Sequence, residues 1–178
     1  MLIHKIFRKA FHYIYSNLNH VGYAKFIGVN MGNNVHIYGN PLGMFSTEPW
    51  IITLGNNVHI TREVLFITHD GGTLLYRDKV PDLEITAPIQ VGNDVYIGVR
   101  SIILPGVTIG DNCVIGAGSI VTRDVPSNSV VAGVPAKIVK SADDYLDKLK
   151  LNSLKLGHLK AGEKDAALKN YFNYKPND

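Results

Sequence analysis

The chain of 178 residues contains one cysteine, no long hydrophobic run and no acidic residue before Glu48. The single cysteine, Cys113, excludes an internal disulfide framework and favours a reducing compartment. A membrane-spanning helix is not expected, because no stretch of about 18 consecutive apolar residues occurs. The first residues also lack the apolar run and the small-residue cleavage site of a signal peptide. Together these absences predict a cytoplasmic protein.

The balance of charge does not favour a nucleic-acid partner. Charged residues make up 19% and hydrophobic residues 46% of the chain, which is typical of a folded globular protein. The net charge is +3, and acids balance the lysines of the C-terminal part. A solvated helical face explains that charge better than a nucleic-acid interface does. Basic residues do dominate the beginning of the chain, where Lys5, Arg8, Lys9 and Lys25 precede the first acid.

A six-residue period is the dominant pattern of the chain. Ten aliphatic residues share one phase of it: Met31, Ile37, Leu54, Ile60, Val91, Ile97, Ile103, Ile109, Ile115 and Val121. The residue three positions later is Gly, Asn or Asp in eight of the ten cases, and these residue types best tolerate a positive φ. The residue four positions later is mostly small or β-branched. A hexapeptide period of this kind is typical of a parallel β-helix.

The period predicts an all-β solenoid in which each hexapeptide supplies one short strand and one corner. The aliphatic residue points inward, the small residue fits near the corner, and three hexapeptides close one coil. Successive coils stack at a spacing of about 4.8 Å through backbone hydrogen bonds. Several coils must stack, because a single coil cannot bury its own core. Cys113 falls at a small inward position, so we interpret it as a packed thiol rather than a nucleophile.

Breaks in the period divide the chain into three parts. An N-terminal amphipathic helix or cap is expected over 1–26, the β-helix over 27–140, and a helical tail over 141–178. Two loops interrupt the β-helix, at 39–50 and at 69–88. Residues 2–19 have helical periodicity with basic side chains off the apolar face. We favour a role for them in covering the open end of the solenoid, and contact with a membrane surface is the alternative.

The C-terminal coils carry a resemblance to a known family. Residues 97–139 (IGVRSIILPGVTIGDNCVIGAGSIVTRDVPSNSVVAGVPAKIV) resemble the hexapeptide-repeat acyltransferases, which have a left-handed parallel β-helix. Glu48–Pro49 and the segment FITHDGG at 66–72 resemble the branch of capsule and lipopolysaccharide O-acetyltransferases. Galactoside and maltose acetyltransferases are more distant. The resemblance covers about residues 27–140, and the repeat combined with THDGG and AGVPAK is specific for acyl transfer.

This resemblance implies an enzyme that transfers an acetyl group from acetyl-CoA to the hydroxyl of a sugar, without a metal. It also implies a homotrimer with sites shared between subunits, and a sugar or glycan acceptor in surface polysaccharide biosynthesis. If residues 2–19 contact a membrane instead of covering the solenoid, they would place a cytoplasmic enzyme at the inner face of the membrane. Transfer to the amine of an amino sugar stays open, because both reactions use a histidine base.

His69 is the candidate catalytic base. Acyl transfer needs a group that takes the proton of the acceptor hydroxyl, and a neutral imidazole suits this task. His69 opens the longer loop, and the resemblance places the catalytic histidine there. A carboxylate or a backbone carbonyl must hold the other ring nitrogen. Glu48 either orients His69, holds the sugar or is a surface carboxylate, whereas Asp70 is a candidate substrate ligand or loop former.

The resemblance also implies the residues that contact coenzyme A. Tyr96 stands where many relatives carry tryptophan, which leaves that one contact in doubt. The backbones of Val99 and Ala117 would read the pantetheine, and backbone N–H groups near Gly98 would stabilise the oxyanion. The nucleotide end, with its phosphates, would contact a set of polar and basic residues near the last coils: Thr122, Arg123, Lys137 and Lys140.

Two other classes of function compete with acyl transfer. A zinc enzyme similar to the γ-type carbonic anhydrases would use His36, His59 and His69. No two of these histidines are five residues apart, as that family requires, and the AGVPAK segment would have no explanation. A non-catalytic scaffold trimer is the second alternative, and the intact THD sequence argues against it.

Overall fold

The computed structural model describes the backbone of residues 2–175 and the side chains of residues 4–175. Residue 1 and residues 176–178 of the predicted terminal segments lie outside the described residues. The chain divides into two compact units, one ending at Ala142 and the other beginning at Asp143. All of the β-structure belongs to the first unit, together with two N-terminal helices.

Short strands make up the first unit, as the hexapeptide period predicts. The strands are β1 (Asn30–Met31), β2 (His36–Ile37), β3 (Ile52–Leu54), β4 (Val58–Ile60), β5 (Leu65–Phe66), β6 (Ile89–Val91), β7 (Val95–Ile97), β8 (Ile102–Ile103), β9 (Thr108–Ile109), β10 (Cys113–Ile115), β11 (Ile120–Val121), β12 (Ser129–Gly133) and β13 (Ala136–Ser141). Two 3-10 helices, Pro49–Ile51 and Gly71–Tyr76, lie in the two segments predicted as loops.

The strands form three sheets, which we call faces A, B and C. Face A has the order β1-β3-β6-β9, face B the order β2-β4-β7-β10-β12-β13, and face C the order β5-β8-β11. All pairs are parallel except the final β12–β13 hairpin. From β3 to β11 the chain passes through A, B and C in the same order each time. Ile97 therefore pairs with Ile115 of the next coil, three hexapeptides later.

The inward columns of side chains confirm the predicted phase of the repeat. Nine of the ten aliphatic residues are buried, and Met31 packs against the same core while partly exposed. All ten residues four positions later are buried. Cys113 is among them, and burial raises the pKa of its thiol. Burying each large aliphatic side chain contributes roughly 1.5–3 kcal/mol, so the core stabilises the fold through many equivalent contacts.

The corners differ in part from the sequence prediction. Eight of the ten corner positions have a positive φ, but Glu63 (φ 61°) and Arg100 (φ 59°) are among them, and Asn40 and Asp124 are not. Glu63 and Arg100 occupy the same corner of adjacent coils, and their side chains form an ion pair of 2.6 Å. Both residues lie at the edge between faces B and C, and their ion pair connects the two turns in which they have a positive φ. Asp124 instead accepts a hydrogen bond from the Thr108 amide at 2.8 Å.

A ladder of amides and carboxylates connects the coils along the edge between faces A and B. The Oδ1 atom of Asn93 accepts hydrogen bonds from the backbone N–H (2.9 Å) and the side-chain amide (3.0 Å) of Asn56. Asn93 in turn donates from its backbone (2.6 Å) and its side chain (3.0 Å) to Asp111. A parallel ladder runs through the positive-φ residues, for example from Asn57 to Asp94 at 2.7 Å. These contacts satisfy polar groups that the turns would otherwise leave without partners.

Two helices, α1 (Leu2–Leu18) and α2 (His20–Phe26), precede the strands. Tyr23 and Ala24 of α2 are buried, and Val21 packs against the core, so α2 covers the first coil. Most apolar side chains of α1 are exposed instead, including Phe7 (69%) and Leu18 (80%). Thus 20–26 supplies the buried apolar contact with the solenoid, whereas Asn17 of α1 accepts a hydrogen bond from the Asn40 side chain at 3.0 Å. Among the described residues, no helix has the length and apolar character needed to cross a membrane.

The second unit contains most of α3 (Ala142–Asn152) and all of α4 (Ala161–Tyr171). Its surface carries local ion pairs within each helix, Lys150 with Asp147 at 2.9 Å and Lys169 with Asp165 at 2.6 Å. Such exposed pairs contribute little, about 0.2–0.5 kcal/mol each. Both helices of this unit therefore present charged side chains to solvent.

The amide ladder predicts a measurable loss of stability on substitution. Asn93→Ala removes an acceptor shared by two donors of Asn56, so we expect the free energy of unfolding to fall by about 1–2 kcal/mol. Urea denaturation followed by circular dichroism at fixed protein concentration measures this change. The matched control is Gln90→Ala, an exposed position on face A, with an expected change of about 0.5 kcal/mol or less. Equal effects of both substitutions would contradict a structural role for the ladder.

Candidate active site

The segment 39–50 contributes to the core, although the sequence predicts it as a loop. Met44 and Phe45 are buried, and the Phe66 amide donates a hydrogen bond to the Met44 carbonyl at 2.8 Å. The rings of Phe45 and Phe66 stack with their centroids 5.2 Å apart. This segment thus occupies the face C position of the first coil, next to β5. Ser46 follows with a φ of 52°, and the resulting turn brings Glu48 back towards the solenoid.

The longer excursion, 69–88, is closed at its base by backbone pairing. His69 and Thr86 form an antiparallel bridge. On either side of it, the Asp70 amide donates to the Ile85 carbonyl at 2.9 Å and the Ala87 amide donates to the Thr68 carbonyl at 2.8 Å. The backbone of His69 is therefore held on both sides, at the edge between faces C and A. An ion pair between Arg77 and Glu84 connects the two halves of the excursion farther out.

Glu48 and His69 are in direct contact. The Nδ1 atom of His69 lies 2.9 Å from the Oε2 atom of Glu48. Two hydroxyl groups hold the same carboxylate, since Thr47 donates to Oε1 and Thr68 donates to Oε2, each at 2.5 Å. These hydrogen bonds, with a smaller contribution from His69, outweigh partial burial and lower the pKa of Glu48 to about 2. Glu48 is therefore ionised at neutral pH.

The charge of Glu48 determines which nitrogen of His69 carries the proton. An ionised carboxylate only accepts hydrogen bonds, so Nδ1 of His69 must be the donor in this contact. In the neutral ring, Nε2 is then left with a lone pair. The side chain of His69 is 37% exposed, so a substrate can reach it from solvent. An imidazole held in one tautomer in this way is able to accept a proton at Nε2.

Asp70 plays a different part in the same region. Its carboxylate accepts a hydrogen bond from the Gly72 amide at 2.8 Å and thereby caps the 3-10 helix Gly71–Tyr76. Asp70 lines two cavities together with His69, one of about 240 Å³ that also contains Glu48 and one of about 490 Å³ that also contains Thr122. Of the two carboxylates predicted near His69, Glu48 makes the hydrogen bond to its ring.

The residues predicted to contact the donor fall into two groups within one chain. Thr122 lines the cavity next to His69, and Arg123 follows it with an exposed side chain. The others lie along face B or its edge with face C: Tyr96, Val99, Ala117, Lys137 and Lys140. Tyr96 is 45% exposed, and Val99 and Ala117 stack in adjacent coils, where the Gly118 amide donates to the Val99 carbonyl at 2.8 Å. Within a single chain, the residues of this second group therefore do not lie next to His69.

Of the backbone N–H groups near Gly98 that we expect to stabilise an oxyanion, the N–H of Gly98 itself is not available, and the role of the neighbouring amides stays a prediction. Gly98 is buried, and its N–H donates to the carbonyl of Ile115 at 2.8 Å as part of the stack of coils. A Cβ atom at this position would lie within 2.5 Å of the Ala117 amide nitrogen. Gly98 is therefore needed for the close approach of two coils, and its amide already has an acceptor.

The histidines considered for zinc do not converge. His36 and His59 stack on face B with their ring centroids 4.7 Å apart, whereas His69 lies at the edge between faces C and A. The Nδ1 atom of His59 is 2.8 Å from the hydroxyl of Tyr38, and burial lowers the pKa of His59, with a further contribution from His36. Within the described residues, no cluster of three or more His, Cys, Asp or Glu side chains is arranged to hold a metal ion.

Sequence reasoning missed the two threonines that hold Glu48. Thr68 is fully buried and lies inside the THDGG segment, so its place next to His69 was visible. Its contact with a carboxylate 20 residues earlier was not visible, because it depends on how the segment 39–50 folds back. Thr47 precedes Glu48 directly, and no sequence signal distinguishes it from an ordinary loop threonine.

Comparisons with known proteins agree with this architecture. Residues 88–123 match the family model described as the hexapeptide repeat of succinyl-transferase. Protein CapG of Staphylococcus aureus is 45% identical over 146 residues, which cover 82% of this chain and 85% of CapG. Galactoside O-acetyltransferase of Escherichia coli K12 is 40% identical over 116 residues, 64% of this chain and 57% of that enzyme. A galactoside acetyltransferase solved in complex with coenzyme A is similar at 27% identity and a TM-score of 0.53, over 90% of each chain.

The contacts of Glu48 predict an unusual titration. The chain contains four glutamates, so ¹³C labelling of glutamate carboxyl groups gives few resonances, which single Glu→Gln variants assign. We expect the Glu48 signal to titrate near 2, and to move up towards the ordinary value of 4.5 in Thr68→Val, which lacks the hydroxyl donor. Thr61→Val is the control, since its hydroxyl donates to a distant carbonyl. A midpoint near 4.5 in the wild type would contradict the observed contacts.

Proposed function

Because this chain belongs to the hexapeptide-repeat acetyltransferase family, we propose that it transfers the acetyl group of acetyl-CoA to a sugar hydroxyl with His69 as general base. The observation that carries the proposal is the hydrogen bond between Glu48 and Nδ1 of His69, which leaves Nε2 free to accept a proton. Both residues line the same solvent-accessible cavity of about 240 Å³.

The reaction proceeds by direct transfer in a complex of enzyme, donor and acceptor. Nε2 of His69 takes the proton of the acceptor hydroxyl as its oxygen attacks the acetyl carbonyl. Glu48 stabilises the imidazolium that forms. The tetrahedral intermediate then breaks its carbon–sulfur bond, and His69 returns the proton to the departing thiolate of coenzyme A. Cys113 takes no part, because it is buried in the core.

The acceptor belongs, in this proposal, to the biosynthesis of a surface polysaccharide. The similarity to a galactoside O-acetyltransferase supports a sugar as acceptor, and the FITHDGG and Glu48–Pro49 segments support the capsule branch of the family. Transfer to an amine is the alternative within the same mechanism. Parallel assays with a sugar and with its 2-amino analogue distinguish the two.

A left-handed coil and a homotrimer are further parts of the proposal. The outward residues of face A are polar, as Thr53, Gln90 and Thr108 illustrate. Face C instead presents an aliphatic row of Leu65, Ile102 and Ile120 in register. Leu65 is exposed and Ile102 and Ile120 are partly exposed, and an apolar row of this kind is typical of a surface that another subunit covers. Sedimentation at several protein concentrations tests the oligomeric state.

The proposed trimer also explains why the residues predicted to contact acetyl-CoA fall into two separate groups within one chain. His69 lies at the edge between faces C and A, and Tyr96 lies on face B of the same chain. We propose that acetyl-CoA binds in a cleft between subunits, where a neighbouring copy supplies the missing group. Val99, Ala117, Lys137 and Lys140 would then line the cleft opposite His69, Thr122 and Arg123.

Membrane contact through residues 2–19 stays a prediction. It is supported by the exposed apolar side chains of α1, among them Phe7 and Leu18, and by the absence of acids from this helix. A cytoplasmic location at the inner face of the membrane rests on the same helix and on the low cysteine content of the chain. Co-sedimentation with anionic vesicles tests the contact.

Replacing the base should abolish transfer without abolishing donor binding. For His69→Ala we expect turnover to fall about 100- to 10,000-fold, because a general base acts mainly on the transition state. Release of free coenzyme A measures turnover, and calorimetry measures acetyl-CoA binding. Glu48→Gln should also lower turnover, since it removes the charge that fixes the tautomer. The matched control is His59→Ala on face B, and retained turnover in His69→Ala would remove His69 from the mechanism.

Lys137 gives a separate test of the donor site. Its side chain is exposed on β13, and we expect Lys137→Ala to weaken acetyl-CoA binding, most strongly at low ionic strength where screening is least. Calorimetric titrations at two salt concentrations measure the effect. The exposed Lys148 of α3 provides a control substitution of the same charge. Binding that is unchanged at both salt concentrations would exclude Lys137 from the site.

A further inference from the structure

A basic cavity adjoins the candidate active site, and its basic residues have no part in the acetyl transfer proposed so far. It lies between α1 and the segment 39–50 and has a volume of about 820 Å³. Its lining is Arg8, Lys9, His12, Tyr13, Leu42 and Thr47. Three of these six residues are basic types, and none is acidic. A cavity of this size and charge is suited to an anionic ligand.

The cations of this cavity are not neutralised by neighbouring acids. Helix α1 contains no acidic residue in its 17 positions. Within the part of the chain that the structure describes, neither Arg8 nor Lys9 forms an ion pair. The acid next to the cavity along the chain is Glu48, and Thr47, Thr68 and His69 already bind its carboxylate. The charge of Arg8 and Lys9 therefore remains for a ligand.

The position of the cavity connects it to the catalytic pair. Thr47 lines the basic cavity, and it also lines the cavity of about 240 Å³ that contains Glu48 and His69. The Oγ1 atom of Thr47 lies 3.4 Å from Nδ1 of His69. The two cavities thus adjoin at one residue. An anionic group bound between α1 and Thr47 would therefore lie beside the cavity that contains His69.

We propose that the acceptor is a sugar that carries a phosphate or diphosphate, and that Arg8 and Lys9 bind this phosphate while the sugar hydroxyl approaches His69. This inference rests on the acetyl transfer proposed above and specifies the class of acceptor. Arginine binds phosphate with a planar pair of donors, and lysine adds a point charge. The His12 ring is held through its Nδ1 atom, 3.0 Å from the Tyr23 hydroxyl, so its Nε2 edge is left for the ligand.

Binding of diphosphate probes tests the inference without knowledge of the sugar. The probes are inorganic pyrophosphate and UDP-glucose, titrated by calorimetry into the full chain in the presence of saturating coenzyme A. Coenzyme A occupies the donor site, so its phosphate contacts cannot account for the binding. The variants are Arg8→Gln and Lys9→Gln. Lys5→Gln is the matched control, since Lys5 lies on the same helix but does not line the cavity.

We expect both probes to bind the wild type, and Arg8→Gln and Lys9→Gln each to weaken binding about tenfold, with Lys5→Gln unchanged. The loss should shrink as salt screens the charges. Absence of binding to the wild type would overturn the inference. Equal weakening by Lys5→Gln would also overturn it, because the effect would then reflect the general charge of α1. A raised KM for acetyl-CoA in Arg8→Gln would assign the cavity to the donor and contradict the inference.

Two further comparisons show whether the phosphate belongs to a nucleotide sugar or to a lipid-linked sugar. They also distinguish failure of this inference from failure of the proposed function. Acetyl transfer to UDP-glucose in solution is compared with transfer to a polyprenyl diphosphate sugar in vesicles and to free glucose. Preference for either phosphate-bearing sugar supports the inference and shows whether the acceptor is soluble or lipid-linked. Equal use of free glucose, or preference for glucuronate, overturns it. If coenzyme A does not bind while pyrophosphate still does, the acetyltransferase function is contradicted, but the binding of an anion at Arg8 and Lys9 is not.

Discussion

Backbone hydrogen bonds between successive coils set the positions of the other groups in the first unit. The Gly98 amide bonds to the Ile115 carbonyl, and the Gly116 amide bonds to the Val131 carbonyl, each at 2.8 Å. Each residue of one coil therefore has a fixed neighbour in the next. Inward aliphatic side chains form columns for this reason, and so do the asparagines at the edge between faces A and B. Glycine is required where two coils come closest, as at Gly98.

The candidate site forms where the regular repeat is interrupted. The two irregular segments, 39–50 and 69–88, begin and end on the solenoid, so the coils hold their ends in place. Phe45 anchors one segment in the core against Phe66, and Thr86 pairs with His69 to close the other. Glu48 and His69 thus meet through contacts that exist before any substrate binds. The low pKa of Glu48 reflects this preorganisation, because its hydrogen bonds outweigh the cost of partial burial.

The sequence predicted the repeating part of the fold well, because its signal is local and recurs in every hexapeptide. The inward phase and the position of the two interruptions could be predicted in this way. Glu63 and Arg100 could not be predicted as left-handed corners, since their ion pair joins residues 37 positions apart in the chain. Met44 and Phe45 were also missed, because only the three-dimensional stack reveals a vacant face C position in the first coil.

The residues of the candidate site were easier to select from the sequence than their geometry. His69 stood out by residue type and position, and Glu48 was one of several candidate partners. The hydroxyls of Thr47 and Thr68 became visible only when the segment 39–50 folded back on the coil. For the N-terminal segment, amphipathic spacing identified a helix, but only packing distinguished α2, which covers the core, from α1, which is largely exposed.

The closed base of the excursion has a consequence for how such a protein can diversify. Because His69 and Thr86 are paired, residues 70–85 form a loop whose two ends are already adjacent. The entropic cost of lengthening such a loop is small, about 0.6 kcal/mol for each doubling. Insertions or deletions there would leave the coils in register and the histidine in place. Evolution can therefore exchange the surface of this loop while the contact between Glu48 and His69 is inherited unchanged.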